Sequence, residues 1–280
     1  MTLDSSVEFW SDLKMPYVET RRACQSRICY KSHSHPTFSI GAVDVGTSLF
    51  SSSFTENQRI QAGSLVVIPA HVEHSCNPLP NQAWSYQMMH LDAEWLTQLT
   101  QELQQDTIVD LNLIFSETPQ FKPNIFNKSN VYESFTLMNR MLFDPKQSIL
   151  EKEQQLIKFL TDILLVNFDW EKIEISDYYQ KFLPQFIECL DSDFENLSLQ
   201  MLSERIGISR FTLIRLFKHY FGQTPHAYQL NKKINYARKL LKEGYDIAQL
   251  AYELEFADQS HFHRVFKQHT GVTPKQYAKH

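Results

Sequence analysis

Apolar residues recur along this chain with two different periods, and the change falls near residue 92. Before it, short runs rich in Val, Ile, Phe and Ser occupy Arg27–Tyr30, Thr37–Val45, Ser48–Phe54 and Ser64–Ile68. Between them stand Gly46, Glu56-Asn57, Gly63, Pro69 and the Asn77-Pro78-Leu79-Pro80 turn. Many short strands between closely spaced turn residues predict a sandwich or barrel over residues 17–91. From Asp92 onward Trp95, Leu96, Leu99 and Leu103 recur at helical spacing. Further helices are predicted at about 129–143, 149–168 and 177–193, with a proline-containing loop at 116–127. Asp191-Ser192-Asp193 followed by Asn196 reads as a hinge.

Past the hinge one helical pattern is written twice. Residues 198–228 and 247–277 superpose at an offset of 49, pairing Arg215 with Arg264, Phe217 with Phe266 and Lys218 with Lys267. The same offset pairs Gly222 with Gly271, Thr224 with Thr273, Pro225 with Pro274 and Tyr228 with Tyr277. A repeat of this kind fixes the architecture before any other reading. In the first copy Ser198 is placed to cap a helix through Ile206, Gly207 supplies a tight turn, and Ser209 caps a second helix, Arg210–Tyr220. Leu213, Leu216 and Phe217 then face inward, and Arg210, Phe211, Ile214 and Arg215 face outward. The second copy sets Ile247, Leu250, Ala251 and Leu254 on its first helix and caps its second with Asp258. There Phe262, Val265 and Phe266 point in, while Gln259, Ser260, His263 and Arg264 point out.

This is the pattern of two helix-turn-helix units, at about 198–220 and 246–269. Arg suits the edge of guanine and Gln that of adenine, while Phe211 and Ile214 suit thymine methyl groups. Pro225–Lys242 reads as a basic amphipathic linker helix, about 225–243. Such a rigid spacer can set two recognition helices in successive major-groove turns, roughly 34 Å apart.

Charge divides at the same place. Residues 198–280 hold 13 Lys and Arg against 6 Asp and Glu, and the residues before them hold 14 against 26. A basic end on an acidic body points to a nucleic-acid-binding module attached to a second domain. The division predicts domains at 1–175 and 176–280. A hydrophobic content of 42% excludes a mainly disordered chain. No run of eighteen apolar residues and no basic-then-apolar start occurs, so a cytoplasmic protein without a membrane partner is expected. Cys24, Cys29, Cys76 and Cys189 lack CxxC spacing, which favours reduced thiols.

The stretches LSLQMLSERIGISRFTLIRLFKHYFGQTPHAY, INYARKLL and DIAQLAYELEFADQSHFHRVFKQHTGVTPKQY resemble the DNA-binding domain of the AraC/XylS transcription regulators. The resemblance covers residues 198–280. It implies that the eight outward residues Arg210, Phe211, Ile214, Arg215, Gln259, Ser260, His263 and Arg264 face double-stranded DNA. It departs from the family at Glu255, which stands where glycine usually precedes the second recognition helix. The expected fold class is α+β: an N-terminal cupin-like β-barrel with flanking helices, then an all-α domain with two helix-turn-helix motifs joined by a linker helix. The resemblance also implies a small-molecule effector in the barrel, a homodimer through a helix of that domain, and activation through RNA polymerase, with repression left open.

The barrel carries histidines at cupin-like positions. His33 and His35 sit two apart in a predicted strand, so both side chains face one side. Gly63, Pro69, His71, His74 and Asn77 form a second segment. Three readings stay open. His33, His35 and His74, with His90 nearby, are of a type that binds a transition metal. A metal-dependent cupin enzyme, however, normally places a glutamate shortly after its HxH, and Thr37, Phe38, Ser39 and Ile40 stand there. Alternatively Arg22, His33, His35, Ser39, His74, Trp84 and Tyr86 line an effector pocket, Arg22 serving an anion. Or the histidines are structural, and the chain is a DNA-binding regulator without an effector. The expectation is a regulator, not an enzyme, with no cofactor.

Overall fold

The computed structural model describes residues 6–102, 121–164, 167, 180–190 and 197–279. Nine strands make two antiparallel sheets among these residues. They are β1 (Ser6–Asp12), β2 (Met15–Ser26), β3 (Phe38–Val45), β4 (Thr47–Ser52), β5 (Thr55–Gln61), β6 (Leu65–Ile68), β7 (His74–Pro78), β8 (Trp84–Leu91) and β9 (Asn124–Phe126). The larger sheet runs β1-β2-β8-β3-β6-β9 and the smaller β5-β4-β7. Helices α1 (Ala93–Glu102), α2 (Ser129–Phe143) and α3 (Ile149–Phe159) follow, the last running into a π-helical turn at Leu160–Leu164.

Strand alternation gives the large sheet two buried faces. Ala23, Val43, Val66, Ile68, Trp84, Tyr86 and Met88 meet Phe50 and Ile60 of the small sheet inside the barrel. Val18, Ile40, Leu65, Val67, Met89 and Leu91 instead meet Phe135, Leu142 and Leu156 from α2 and α3. Every residue of β8 is buried. A strand covered on both faces shows no polar alternation, which is why the period-two pattern passed over it.

Several expected boundaries shift. Arg27–Tyr30 is irregular, and so is the segment carrying His33 and His35, apart from one bridge between His33 and His74. The predicted loop at 116–127 contains β9, which adds to the free edge of β6. Strands β1, β2, β5, β7 and β8 lie outside the four apolar runs. The hinge at 191–196 and residues 168–179, with the division between 175 and 176, fall outside the described residues.

The C-terminal helices are α4 (Leu183–Leu190), α5 (Leu199–Ile206), α6 (Arg210–Phe221), α7 (Pro225–Lys242), α8 (Ile247–Glu253), α9 (Gln259–Thr270) and α10 (Pro274–Tyr277). Their ends follow local chemistry. Side chains of Ser198, Ser209, Thr224, Asp246, Asp258 and Thr273 each accept a backbone N–H of the first helical turn, satisfying donors that have no partner within the helix. The cores are separate. Phe186 and Cys189 of α4 join Leu202, Leu213, Phe217 and Phe221, whereas Leu250, Phe262 and Phe266 pack with Ile234 and Leu241.

The repeat is not uniform. The caps of α5 and α8 are 48 residues apart, and those of α6 and α9 are 49 apart. The second turn therefore holds one extra residue. Gly207 at φ 76° and Glu255 at φ 58° play the same left-handed part in the two turns. The N–H of Ile208 then bonds Ser203 O, and that of Phe256 bonds Ala251 O. Glu255 thus holds a conformation that costs a non-glycine residue about 1 kcal/mol.

Candidate nucleic-acid interface and the seam behind it

Helices α6 and α9 are held by their apolar stripes, and the stripes decide what is left outside. Leu213, Leu216 and Phe217 of α6 are fully buried, as are Phe262 and Phe266 of α9, with Val265 nearly so. Arg210, Phe211 and Arg215 are consequently exposed and Ile214 half-buried. Phe211 is 63% exposed, unusual for a ring unless something covers it. The Arg215 guanidinium lies over that ring at 4.3 Å, which limits the freedom of both. On α9, Gln259, Ser260 and Arg264 are exposed and His263 half-buried. All eight residues singled out from the sequence stand on the outward faces of the two helices. The 18-residue α7 between the units is about 27 Å long.

The opposite ends of the two recognition helices meet the barrel. Arg21 Nη1 donates to Thr270 O at 2.6 Å, and the backbone N–H of Lys31 donates to Gln268 O at 3.2 Å. Both bonds satisfy carbonyls at the C-terminus of α9, where cationic partners are favoured. Gly271 ends α9 at φ 81°, directly under Tyr30; a Cβ there would lie 2.3 Å from the Tyr30 hydroxyl. Gly222, its counterpart after α6, faces Glu73 and Ser53, with a Cβ position 2.9 Å from Glu73 Oε2. An open cleft of about 670 Å³, bordered by Ser32, Ser51, Asn57, Glu73 and Lys218, runs beside it.

Linker helix α7 supplies the rest of this seam from one stripe. Asn231, Asn235, Arg238 and Lys242 follow at spacings of four, three and four, which places them on a single helical face. Asn231 Nδ2 donates to Ser34 O and Ser34 Oγ, both at 2.9 Å, and Asn231 Oδ1 accepts from Ser34 N–H at 3.2 Å. Asn235 Nδ2 donates to Ser34 O at 3.1 Å. Arg238 reaches three groups: Glu19 Oε1 at 2.5 Å, Tyr277 OH at 3.2 Å and His35 Nδ1 at 3.1 Å. Lys242 Nζ pairs with Glu19 Oε2, to which Tyr277 OH also donates at 3.2 Å. Burial pushes the Glu19 carboxyl up, but Arg238 and Lys242 outweigh it and hold the group well below the usual carboxylate range.

Behind Arg238 the histidines gather. Ring centroids lie 4.8 Å apart for His33 and His35, 4.8 Å for His33 and His74, and 4.6 Å for His35 and His90. His269 of α9 comes within 6.4 Å of His33. Burial holds His33, His35 and His90 well below the ordinary imidazole value, and His74 down to about 4. Ser39 Oγ meets His90 Nδ1 at 2.9 Å.

The candidate pocket residues therefore divide. His33, His35, His74 and Ser39 come together at the end of the barrel facing α7. Trp84 and Tyr86 stack on each other at 4.3 Å and line an apolar barrel cavity of about 10 Å³, space for one water. Tyr86 bridges the two places, because its hydroxyl lies 2.6 Å from that of Tyr30. Arg22 is separate. Alternation along β2 sends it to the helix side, where it lies 4.0 Å over the Phe143 ring, and sends Arg21 to the seam. Arg21, Glu19 and Arg238 line a cavity of about 20 Å³ together with His35, His90 and Tyr277. The Nε of Arg21 is buried with no hydrogen-bond partner among the described residues. Sequence reading missed Glu19, Arg21, Asn231, Asn235 and Arg238. The polar stripe of α7 was the signal that pointed to three of them.

Residues 202–280 match a family described as a helix-turn-helix domain, and residues 15–127 match an AraC-like ligand binding domain. Over 238 residues the chain is 26% identical to the uncharacterized HTH-type transcriptional regulator YbfI of Bacillus subtilis, covering 83% of this chain and 81% of that protein. It is 31% identical over 96 residues to the transcriptional activator RhaS of Escherichia fergusonii, a match spanning 34% of each. ToxT of Vibrio cholerae, in a crystal structure described as bound to an unsaturated fatty acid, shares the fold with a TM-score of 0.58. That likeness covers 98% of this chain and 94% of ToxT at 16% identity. No helix among the described residues is long and apolar enough to cross a membrane.

Proposed function

Because the chain belongs to the AraC/XylS family of transcription regulators, we propose that it reads DNA with both recognition helices and that the seam behind them is where an effector acts. It is a DNA-binding regulator with a cupin-like N-terminal domain. Base edges are read by Arg210, Phe211, Ile214 and Arg215 of α6 and by Gln259, Ser260, His263 and Arg264 of α9. The observation that carries this reading is the pair of side-chain-capped helices, each with its apolar stripe buried and its outward face uncovered, joined by one rigid helix.

The effector is a small anion held by the N-terminal domain at the end facing α7. Arg21 offers a buried, unpartnered N–H there, and Arg238 is already matched to a carboxylate, Glu19. A carboxylate ligand fits the same chemistry, and ToxT is described as holding a fatty acid. The present cavity admits little more than water. Ligand entry thus requires Glu19 to give way, which shifts the arrangement of α7 and the readers. The barrel serves as a sensor, the role named by the AraC-like ligand binding domain that residues 15–127 match. The regulator works in the cytoplasm with RNA polymerase, as a homodimer through α2 and α3, where Leu137 and Leu150 are 60% and 73% exposed.

Selection of bound sequences from a random DNA pool by the full chain tests the reading. Two enriched blocks about ten base pairs apart are expected. No enrichment, with or without a panel of aliphatic carboxylates, overturns it.

A further inference from the structure

We propose that His33, His35 and His74 form a binding site for one divalent late transition-metal ion, and that the ion competes with Arg238 for His35. One ligand atom from each of the three lies within 4.8 Å of the others. Metal–nitrogen bonds of about 2.0–2.1 Å in a tetrahedral site set ligands about 3.4 Å apart, so side-chain shifts of about 1 Å close the set. The supporting bonds are those that ligating histidines need. His33 Nδ1 lies 2.7 Å from Lys31 O and His74 Nδ1 lies 2.9 Å from Val72 O. A carbonyl only accepts, so each Nδ1 carries its proton and each Nε2 keeps its lone pair free for a metal. Burial keeps these rings neutral, the form that binds metal. An all-imidazole set suits zinc, cobalt, nickel or copper in preference to magnesium or calcium.

His35 differs from the other two. Its Nδ1 accepts a hydrogen bond from Arg238, so its proton sits on Nε2. A metal on Nε2 displaces that proton and requires a proton on Nδ1, which then faces an arginine N–H, donor against donor. A metal on Nδ1 takes the lone pair that Arg238 uses. By either route the ion and Arg238 exclude each other at His35, and charge repulsion from Arg238 and Arg21 acts in the same sense. Metal binding thus releases one of the two bonds, to His35 and Glu19, by which Arg238 holds α7 to the barrel. The site does not depend on the anionic effector, whereas its effect on the readers rests on the seam being the control point.

The full chain, stripped with chelator and titrated with Co(II), gives the first readout. One Co(II) per chain with tetrahedral absorption bands is expected, displaced by Zn(II), and His74→Gln weakens it by at least about tenfold. Arg238→Gln removes the competitor and tightens binding by about tenfold, a gain that misfolding does not produce. Hydrogen exchange across 231–242 should rise when Co(II) is added. Absence of stoichiometric binding, a thiolate charge-transfer band, or unchanged affinity in Arg238→Gln overturns the site. A normal cobalt spectrum with unchanged exchange overturns the coupling and leaves the site standing.

Discussion

At the C-terminal end of α9 the barrel supplies Arg21, the Lys31 amide and the Tyr30 ring, and Val7 and Phe9 of β1 pack on the same unit's core. At the equivalent end of α6 it presents Glu73 and Ser53 beside an open cleft. The second unit is bolted down and the first is leaned upon. Their outward faces differ in the same direction: Gln259, Ser260, His263 and Arg264 carry polar groups, whereas α6 offers Phe211 and Ile214 beside its arginines. The unit with the richer hydrogen-bonding face is the one the barrel holds directly. A duplicated motif thus gives one chain two readers that a single N-terminal domain contacts unequally.

The sharpest way to break this comparison is at the paired glycines. Gly271→Ala should cost about 3 kcal/mol, because it adds left-handed strain to a collision with Tyr30, and Tyr30→Ala should recover part of the loss. Gly222→Ala meets only the end of a Glu73 side chain besides Ser53 and should cost about 1 kcal/mol. Denaturant unfolding of the two variants measures both. Equal costs would remove the distinction between the units. On DNA, Arg264→Ala should lose about 2 kcal/mol on its own site and relax specificity at one position, with Phe211→Ala losing about 1 kcal/mol. Binding titrations on selected and random duplexes separate that from a uniform loss of phosphate contact.

Acidity distinguishes the two contacts further. Burial pushes the Glu73 carboxyl up to about 7, against the pull of Lys218. A raised carboxyl stabilises the folded chain below its unfolded value of 4.5 and loses that contribution as pH rises through 7. The buried His74 behaves oppositely: its contribution is present above 6.5 and is lost as pH falls toward 4. Below pH 6.5 the two oppose each other, so Glu73 is isolated by difference: the melting temperature of Glu73→Gln should gain on that of the wild type as pH rises from 5 to 7, while the acid limb set by the histidines stays intact. The smallest effect belongs to the turn. Glu255→Gly should add just under about 1 kcal/mol, since it relieves the left-handed glutamate and gives up only an exposed ion pair with Lys233.

The readers were legible in the sequence because their determinants are local. Ser198, Gly207, Ser209, Asp258 and the apolar stripes act within a few residues of themselves, and chain order alone reveals them. The seam was not, because Asn231 meets Ser34 across 197 positions and Arg238 meets Glu19 across 219. Choosing between Arg21 and Arg22 needed the register of β2, which no local pattern supplies. The histidines were found by spacing, but through the wrong element: a loop bridged to His74, not a strand, turns His33 and His35 to the same side. Trp84 and Tyr86 lie inside the barrel, where neighbouring side chains leave room for one water.

Hydrogen exchange of the full chain, comparing backbone amides of 210–222 with those of 259–271, tests the central claim most directly. Slower exchange in 259–271 is predicted for the wild type, with the gap closing in Glu19→Gln as α7 loosens. Equal protection in the wild type, or an unchanged gap in the variant, would contradict the seam as the device that holds the two readers unequally.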